Sequence, residues 1–249
     1  MIAHYAEEIG FIRKSGLKIS QIHAPVPPFP NAEPEVMAYA SKIYQRMIEL
    51  CAYVDCPILV IHGICMVPDG TVQDVAKVEE QNIAMYSALI PALLKHPVTV
   101  CLENLYGRDV DRTQLLEGFC SDPYEAVRLI DTLNEMAGRE VFGLCLDTGH
   151  LKLLNKDMRA YIPVLGKRIK AVHINDNYGI SDCHIAPMAG TTNWNHFCDG
   201  LRQIGYTGDL DFDSAGQIAR AMRYGEDMVL PWLELMRKTG ESFRARIQG

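Results

Sequence analysis

The chain has 249 residues, 48% of them hydrophobic and 22% charged, with a formal net charge of −7. This is the profile of a soluble globular protein with room for one large α/β domain. The acidic balance disfavours a protein that lives on nucleic acid or anionic membrane. No apolar run is long enough to cross a bilayer, and the acidic MIAHYAEEIGFIRK start is unlike a signal peptide, so the expected location is the cytoplasm.

In chain order, short β-rich runs alternate with helical patterns. A helix-like segment at 2–14 comes first. The strand candidates are then LKISQIHA (17–24), PILVIHG (57–63), PVTVCLEN (97–104), FGLCLDTG (142–149), IKAVHIND (169–176) and GDLDFDS (208–214). HIAPMAG (184–190) is a weaker candidate for a hidden strand. Helical patterns occupy 35–54, 72–95, 124–136, 158–165, 194–204 and 218–238, and Pro91 should interrupt the second of these. Asp122, Pro123 and Glu125 form a helix start: a cap, a proline at the first helical position and an acid that can complete a capping box. VPPFPNAEP (26–34) reads as a stiff loop, and ESFRARIQG at the end as a fraying helix.

No composition shift divides this pattern, so a single domain spanning 1–249 is expected. Strand–helix alternation makes its sheet parallel. No glycine-rich nucleotide fingerprint follows the first strand. The eight cysteines lack any CxxC spacing and read as buried reduced thiols.

The strand ends separate an open sheet from a barrel. In order they are His23, His62, Glu103, Asp147, His173 and Asp213, spaced mostly by ~40 residues, one βα unit each. In a barrel all six would meet at one mouth. Isolated charged side chains rarely end every parallel strand for packing reasons, because burying them unpaired is costly. Glu103, Asp147, His173 and Asp213 form a mixed oxygen and nitrogen donor set suited to Mn²⁺, Mg²⁺, Co²⁺ or Zn²⁺. His23, His62, His150, Asp182 and His184 stand around it as possible additional ligands. Asp211 is assigned to the opposite face of its strand from Asp213, and Trp194 to packing beneath the mouth.

The motifs LEN, LDTGH, VHINDN, SDCH with GTTNW, and YTGDLDFD resemble, in that order, the xylose-isomerase-like barrel superfamily of sugar isomerases, epimerases and apurinic-site endonucleases. The resemblance runs from about 16 to 213. It implies a TIM (β/α) barrel, with GLKISQIHA similar to the family's third strand and one or two earlier strands lacking. It further implies that Glu103, Asp147, His173 and Asp213 hold a divalent metal ion. Glu103 and Asp213 would be the acid/base pair of a sugar or sugar phosphate epimerase working through a metal-stabilised enediolate. His150, His62 and His23 would contact the substrate.

Two departures stand out. The last strand ends in Asp213 where the family usually has glutamate, and NDNYG stands where some epimerases place an arginine. An apurinic-site endonuclease with a multinuclear zinc site is the alternative, since His23, His62, His150, Asp182 and His184 match its extra ligands. Against it, Arg108 and Arg112 are offset by Asp109 and Asp111 in the loop after Glu103. An inactive or incomplete barrel is the third reading. The expected partner is a small sugar, with a homo-oligomer possible and neither nucleic acid nor membrane expected.

Overall fold

The computed structural model describes residues 2–28, 32–65, 75–109, 111 and 113–249. The chain begins with α1 (Ala6–Ser15), β1 (Ile22–His23), α2 (Pro34–Tyr53), β2 (Ile58–Ile61), α3 (Val75–Ser87), α4 (Ile90–Leu93) and β3 (Thr99–Glu103). A hairpin of β4 (Tyr106–Arg108) and β5 (Leu115–Glu117) follows, then α5 (Pro123–Ala137), β6 (Phe142–Asp147), α6 (Thr148–Leu153), α7 (Met158–Leu165) and β7 (Ile169–His173). The chain closes with α8 (Trp194–Gln203), α9 (Ala215–Met222) and α10 (Val229–Gln248).

The main sheet is parallel throughout, in the order β1-β2-β3-β6-β7. Asp211 adds to its far edge by a parallel bridge to His173, and the Ile174 amide donates to the Asp211 carbonyl at 2.8 Å. The sheet curls into a half-barrel. Its two edges do not pair among the described residues; a side-chain contact spans the gap, where the Ser20 hydroxyl donates to Asp211 Oδ2 at 3.3 Å. A cleft of about 560 Å³ opens at this seam, lined by Ile9, Ile12, Leu17, Ser20 and Asp209 among others.

Alternation along the strands builds two apolar layers. Val60, Cys101, Cys145 and Ala171 form a small cluster on the inner surface of the curled sheet. Leu59, Ile61, Val100, Leu102, Leu144 and Val172 face the other way and join the helices in one large core. β6 is buried at all six positions, as expected of a strand covered on both faces. Gly143 is required within it: a Cβ there would lie 2.4 Å from Lys170 Cγ and 2.9 Å from the Arg168 carbonyl.

Several expectations need correction. Only Ile22 and His23 of 17–24 pair with a neighbour, and 208–214 contributes a single bridge instead of a strand. The β4–β5 hairpin was not expected: Tyr106, Gly107 and Arg108 pair antiparallel with Glu117, Leu116 and Leu115. Thr148 and Gly149 leave the strand and open α6. The 184–190 segment makes only the Asp176–Ile185 bridge. The helix expected at 218–238 is two helices, α9 and α10. The C-terminus does not fray: α10 runs to Gln248, with Phe243 and Ile247 buried. Asp211 and Asp213, two residues apart, share a face under period-two alternation. Leu210 and Phe212 pack against the helical core, which leaves Asp211 on the inner side. Arg112 and residues 29–31 of the proline-rich loop lie outside the described residues.

Other expectations hold. Pro91 ends α3 early and starts the short α4. Asp122 caps α5, its Oδ1 accepting from the Tyr124 and Glu125 amides at 2.8 and 3.1 Å. Trp194 is buried against Phe197 and Phe243. Among the described residues no helix is long and apolar enough to cross a membrane.

Loss of the α5 cap leaves two helix-start amides without their acceptor. Asp122→Ala should therefore lower the unfolding free energy by about 1 kcal/mol, while Phe142→Ala, which empties a fully buried site, should cost about 3–5 kcal/mol. Urea denaturation of the two variants checks both size and order.

Candidate metal centre

The parallel strands deliver their last residues to one mouth. Glu103 ends β3, Asp147 ends β6 and His173 ends β7, all at most 5% exposed. His23 ends β1 and His62 directly follows β2. His150 lies in the first turns of α6, and Asp182 and His184 on the loop after β7. Asp213 lies just beyond the Asp211 bridge. All nine residues singled out in the sequence are brought together.

Glu103 is the shared member. Its Oε2 lies 3.2 Å from both His23 Nε2 and His62 Nε2, and its Oε1 lies 3.4 Å from both His150 Nδ1 and His173 Nδ1. Among the described residues three groups have donor atoms close enough to hold a cation: His23, His62 and Glu103; Glu103, Asp147 and His173; and His150, Asp182 and His184. Asp182 Oδ2 lies 3.3 Å from His150 Nε2 and 3.1 Å from His184 Nε2. Asp213 Oδ2 is 3.2 Å from His184 Nδ1 and 4.0 Å from His173 Nδ1.

Two observations show that these residues fit a divalent cation. His173 Nδ1 is buried with no hydrogen-bond partner; Glu103 is near enough to attract it but is not aligned to accept from it. Three other rings are fixed by backbone carbonyls. His23 Nδ1 donates to Ala24 O at 2.7 Å, His150 Nδ1 to Asn104 O at 2.8 Å and His184 Nδ1 to Asp213 O at 2.8 Å. A carbonyl only accepts, so Nδ1 carries a proton and Nε2 is the atom turned to the site, able to ligate a cation once it gives up its own proton.

Electrostatics follow from burying opposite charges together. Burial alone would raise the Glu103 carboxyl, but His173, His23 and His62 hold it well below the usual carboxylate range. Burial alone would lower His150, yet Asp147, Asp182 and Glu103 push it up to about 10. His173 likewise reaches about 9, burial being outweighed by Glu103, Asp147 and Asp213. Asp147, wholly buried, is raised chiefly by loss of solvent.

The surroundings use residues whose roles the sequence reading did not assign. Asn104, in LEN, pairs both ways with the Asp147 backbone: Nδ2 donates to Asp147 O at 3.0 Å and Oδ1 accepts from Asp147 N at 2.8 Å. Asp176, in VHINDN, accepts from the amides of Met188, Gly190 and Thr192 and from Trp194 Nε1, which folds the loop carrying Asp182 and His184. Tyr106 of the hairpin sets its ring 5.3 Å from that of His150. Their motifs were visible; their partners, 12 to 44 residues away, were not.

Residues 4–228 match the family model described as Xylose isomerase-like TIM barrel. The chain belongs to this family. A curated relative, the uncharacterized protein y4fM of Sinorhizobium fredii, is 31% identical over 72 residues, 29% of this chain and 23% of that protein, so the match spans about a quarter of the relative. Among solved structures, a D-tagatose 3-epimerase-like protein superposes with a TM-score of 0.72 at 17% identity, covering 96% of this chain and 85% of that one. An L-ribulose 3-epimerase gives 0.65 at 17%, covering 97% and 82%. A D-psicose 3-epimerase, solved in the presence of D-fructose, gives 0.64 at 15%, covering 86% and 73%. At these identities the likeness establishes the shared fold.

The raised histidines set a pH dependence for the metal-free protein. His150 and His173 bind protons more tightly when folded than their unfolded value of about 6.5, so their stabilisation is complete below that pH and lost as pH rises through about 9 to 10. The melting temperature of chelator-treated protein should fall between pH 6.5 and 10. A flat profile over that range would contradict this electrostatic picture.

Proposed function

We propose that the protein is a divalent-metal-dependent isomerase or epimerase acting on a small sugar. The observation that carries this reading is the convergence of the buried Glu103, Asp147 and His173 with the more open Asp213 on one mouth. It stands in a fold whose solved neighbours include D-tagatose-like, D-psicose and L-ribulose 3-epimerases.

Glu103, Asp147, His173 and Asp213 would hold the cation, with Mn²⁺, Co²⁺, Mg²⁺ or Zn²⁺ all compatible with the donors. When bound, it supplies Lewis-acid stabilisation of negative charge developing on a carbonyl oxygen and the hydroxyl beside it. Glu103, ionised at neutral pH, serves as the base that removes the proton from the carbon next to the carbonyl. Asp213, with its side chain 40% exposed, serves the opposite face and returns a proton there, inverting the carbon. Hydrogen bonding with His184 lowers the Asp213 carboxyl, so at rest it is ionised. It takes up a proton from solvent at the open mouth before delivering it to the carbon, while Glu103 releases the one it removed. His150, His62 and His23 hydrogen-bond the sugar's hydroxyls, and the Tyr106 ring flanks them. The aspartate is one methylene shorter than glutamate, which favours a substrate seated close to the last strand.

A second reading, phosphodiester cleavage at a multinuclear zinc site, is favoured by one observation: the three ligand groups adjoin, two of them sharing Glu103. Against it, the mouth is rich in carboxylates. Arg108, on β4 of the adjacent hairpin, is engaged by the Ile180 carbonyl at 3.3 Å.

Elemental analysis and turnover separate these readings. Protein purified without chelators should carry about one Mn, Co or Mg per chain. It should exchange solvent deuterium into D-tagatose, D-psicose or L-ribulose at the carbon beside the carbonyl. Glu103→Gln should lose the metal and slow exchange by about 10²–10⁴-fold. Two or three zinc ions per chain with cleavage of an abasic oligonucleotide would favour the phosphodiesterase. Protein that takes up no metal on reconstitution would defeat both readings and leave an inactive barrel.

A further inference from the structure

We propose that Asn175 is a positioning residue that aims the Asp147 carboxylate at the metal, an inference resting on the reading that Glu103, Asp147 and His173 hold a cation. Asp147 has no exposed surface, so the protein alone decides which way its oxygens point. Oδ1 accepts from the His150 amide at 2.7 Å, and Oδ2 accepts from Asn175 Nδ2 at 2.9 Å. The carboxylate is thereby gripped on both sides by groups that bear no charge or give none up.

The structure keeps Asn175 at some expense. Its side chain is fully buried, and its Oδ1 has no hydrogen-bond partner. An amide buried for packing would be satisfied at both ends or replaced by an apolar residue. Its backbone is held in place as well: Asn175 N donates to Thr148 Oγ1 at 3.0 Å, and that hydroxyl donates to Asn175 O at 2.7 Å. On the facing side, a Cβ at position 149 would sit 1.9 Å from Asn175 Oδ1, so only Gly149 makes room for the amide. The half-satisfied amide is therefore explained by its Nδ2 bond to Asp147.

The choice of a neutral donor matters chemically. Lysine or arginine at this position would orient Asp147 but cancel its charge and repel a cation. An amide orients the carboxylate and leaves its charge for the metal. Asn175 touches neither metal nor substrate in this role.

The test is a titration of chelator-treated full-length protein with Co²⁺ alone, followed by calorimetry and visible absorption. Asn175→Leu keeps nearly the same shape and removes the amide. Asp147→Asn marks the part of the isotherm that belongs to this site. Asn175→Leu should weaken that part by about 10–100-fold and shift the Co²⁺ visible band. Because Asp147 Oδ2 loses its amide donor, the metal-free melting temperature falls as well, and the band shift is the readout that separates aiming from stability. Gly149→Ala, which displaces the amide from the opposite side, should reproduce the weakening and stands in should Asn175→Leu not fold. Equal affinity and an unchanged band in the variant would overturn the proposal while leaving the metal reading intact. So would a loss of affinity that merely follows a fall in metal-free stability, with the band unaltered. No Co²⁺ binding by the unmodified protein would overturn the metal reading, and this proposal with it.

Discussion

The mouth of the barrel depends on one carboxylate. Glu103 is buried at the end of a central strand, and each of its oxygens faces two imidazoles. A carboxylate stripped of water is tolerable only where positive charge compensates it. The four histidines come from β1, the residue after β2, α6 and β7, so one charge draws together segments distributed over 150 residues of sequence. Protons on the imidazoles and a divalent cation are alternative ways of meeting the same electrostatic demand. The metal-free protein carries protons on His150 and His173 where the loaded one would carry the ion.

The parallel sheet makes this convergence available. Parallel neighbours point the same way, so their C-terminal ends share one rim, and curling the sheet turns a row of residues into a ring. Leu59, Val100, Leu144 and Val172 hold the curl against the helices, while the small Cys101, Cys145 and Ala171 let the inner surface close up. Core chemistry and site chemistry therefore occupy alternate positions of the same strands.

Much of this was legible from sequence because both signals are local. An apolar run marks a buried strand, and the residue that ends it marks the rim. That sufficed for the strand ends from His23 to His173, and for the Asp122 cap. What escaped depends on distant partners. The hairpin at 106–117 is only half-buried and lacks a strong apolar alternation, so it passed for a loop. The segment 208–214 makes one bridge and no strand, because an edge strand is defined by its neighbour and not by its composition. Asn104 and Asn175 look like ordinary polar residues next to a motif; their roles rest on atoms of Asp147 that are 43 and 28 residues away.

Asp176 has a consequence for motion. Its two oxygens accept from three amides of the 188–192 stretch and from the Trp194 indole, and the residue is completely buried. The loop bearing Asp182 and His184 has almost no regular structure, a condition that ordinarily means fast exchange of amide hydrogens with solvent. Here the amides of Met188, Gly190 and Thr192 are held by a buried carboxylate, so their exchange should be slower than that of unpaired loop amides. A segment without helix or strand is thus tied to the frame of the barrel through one side chain, just downstream of two of the site's residues.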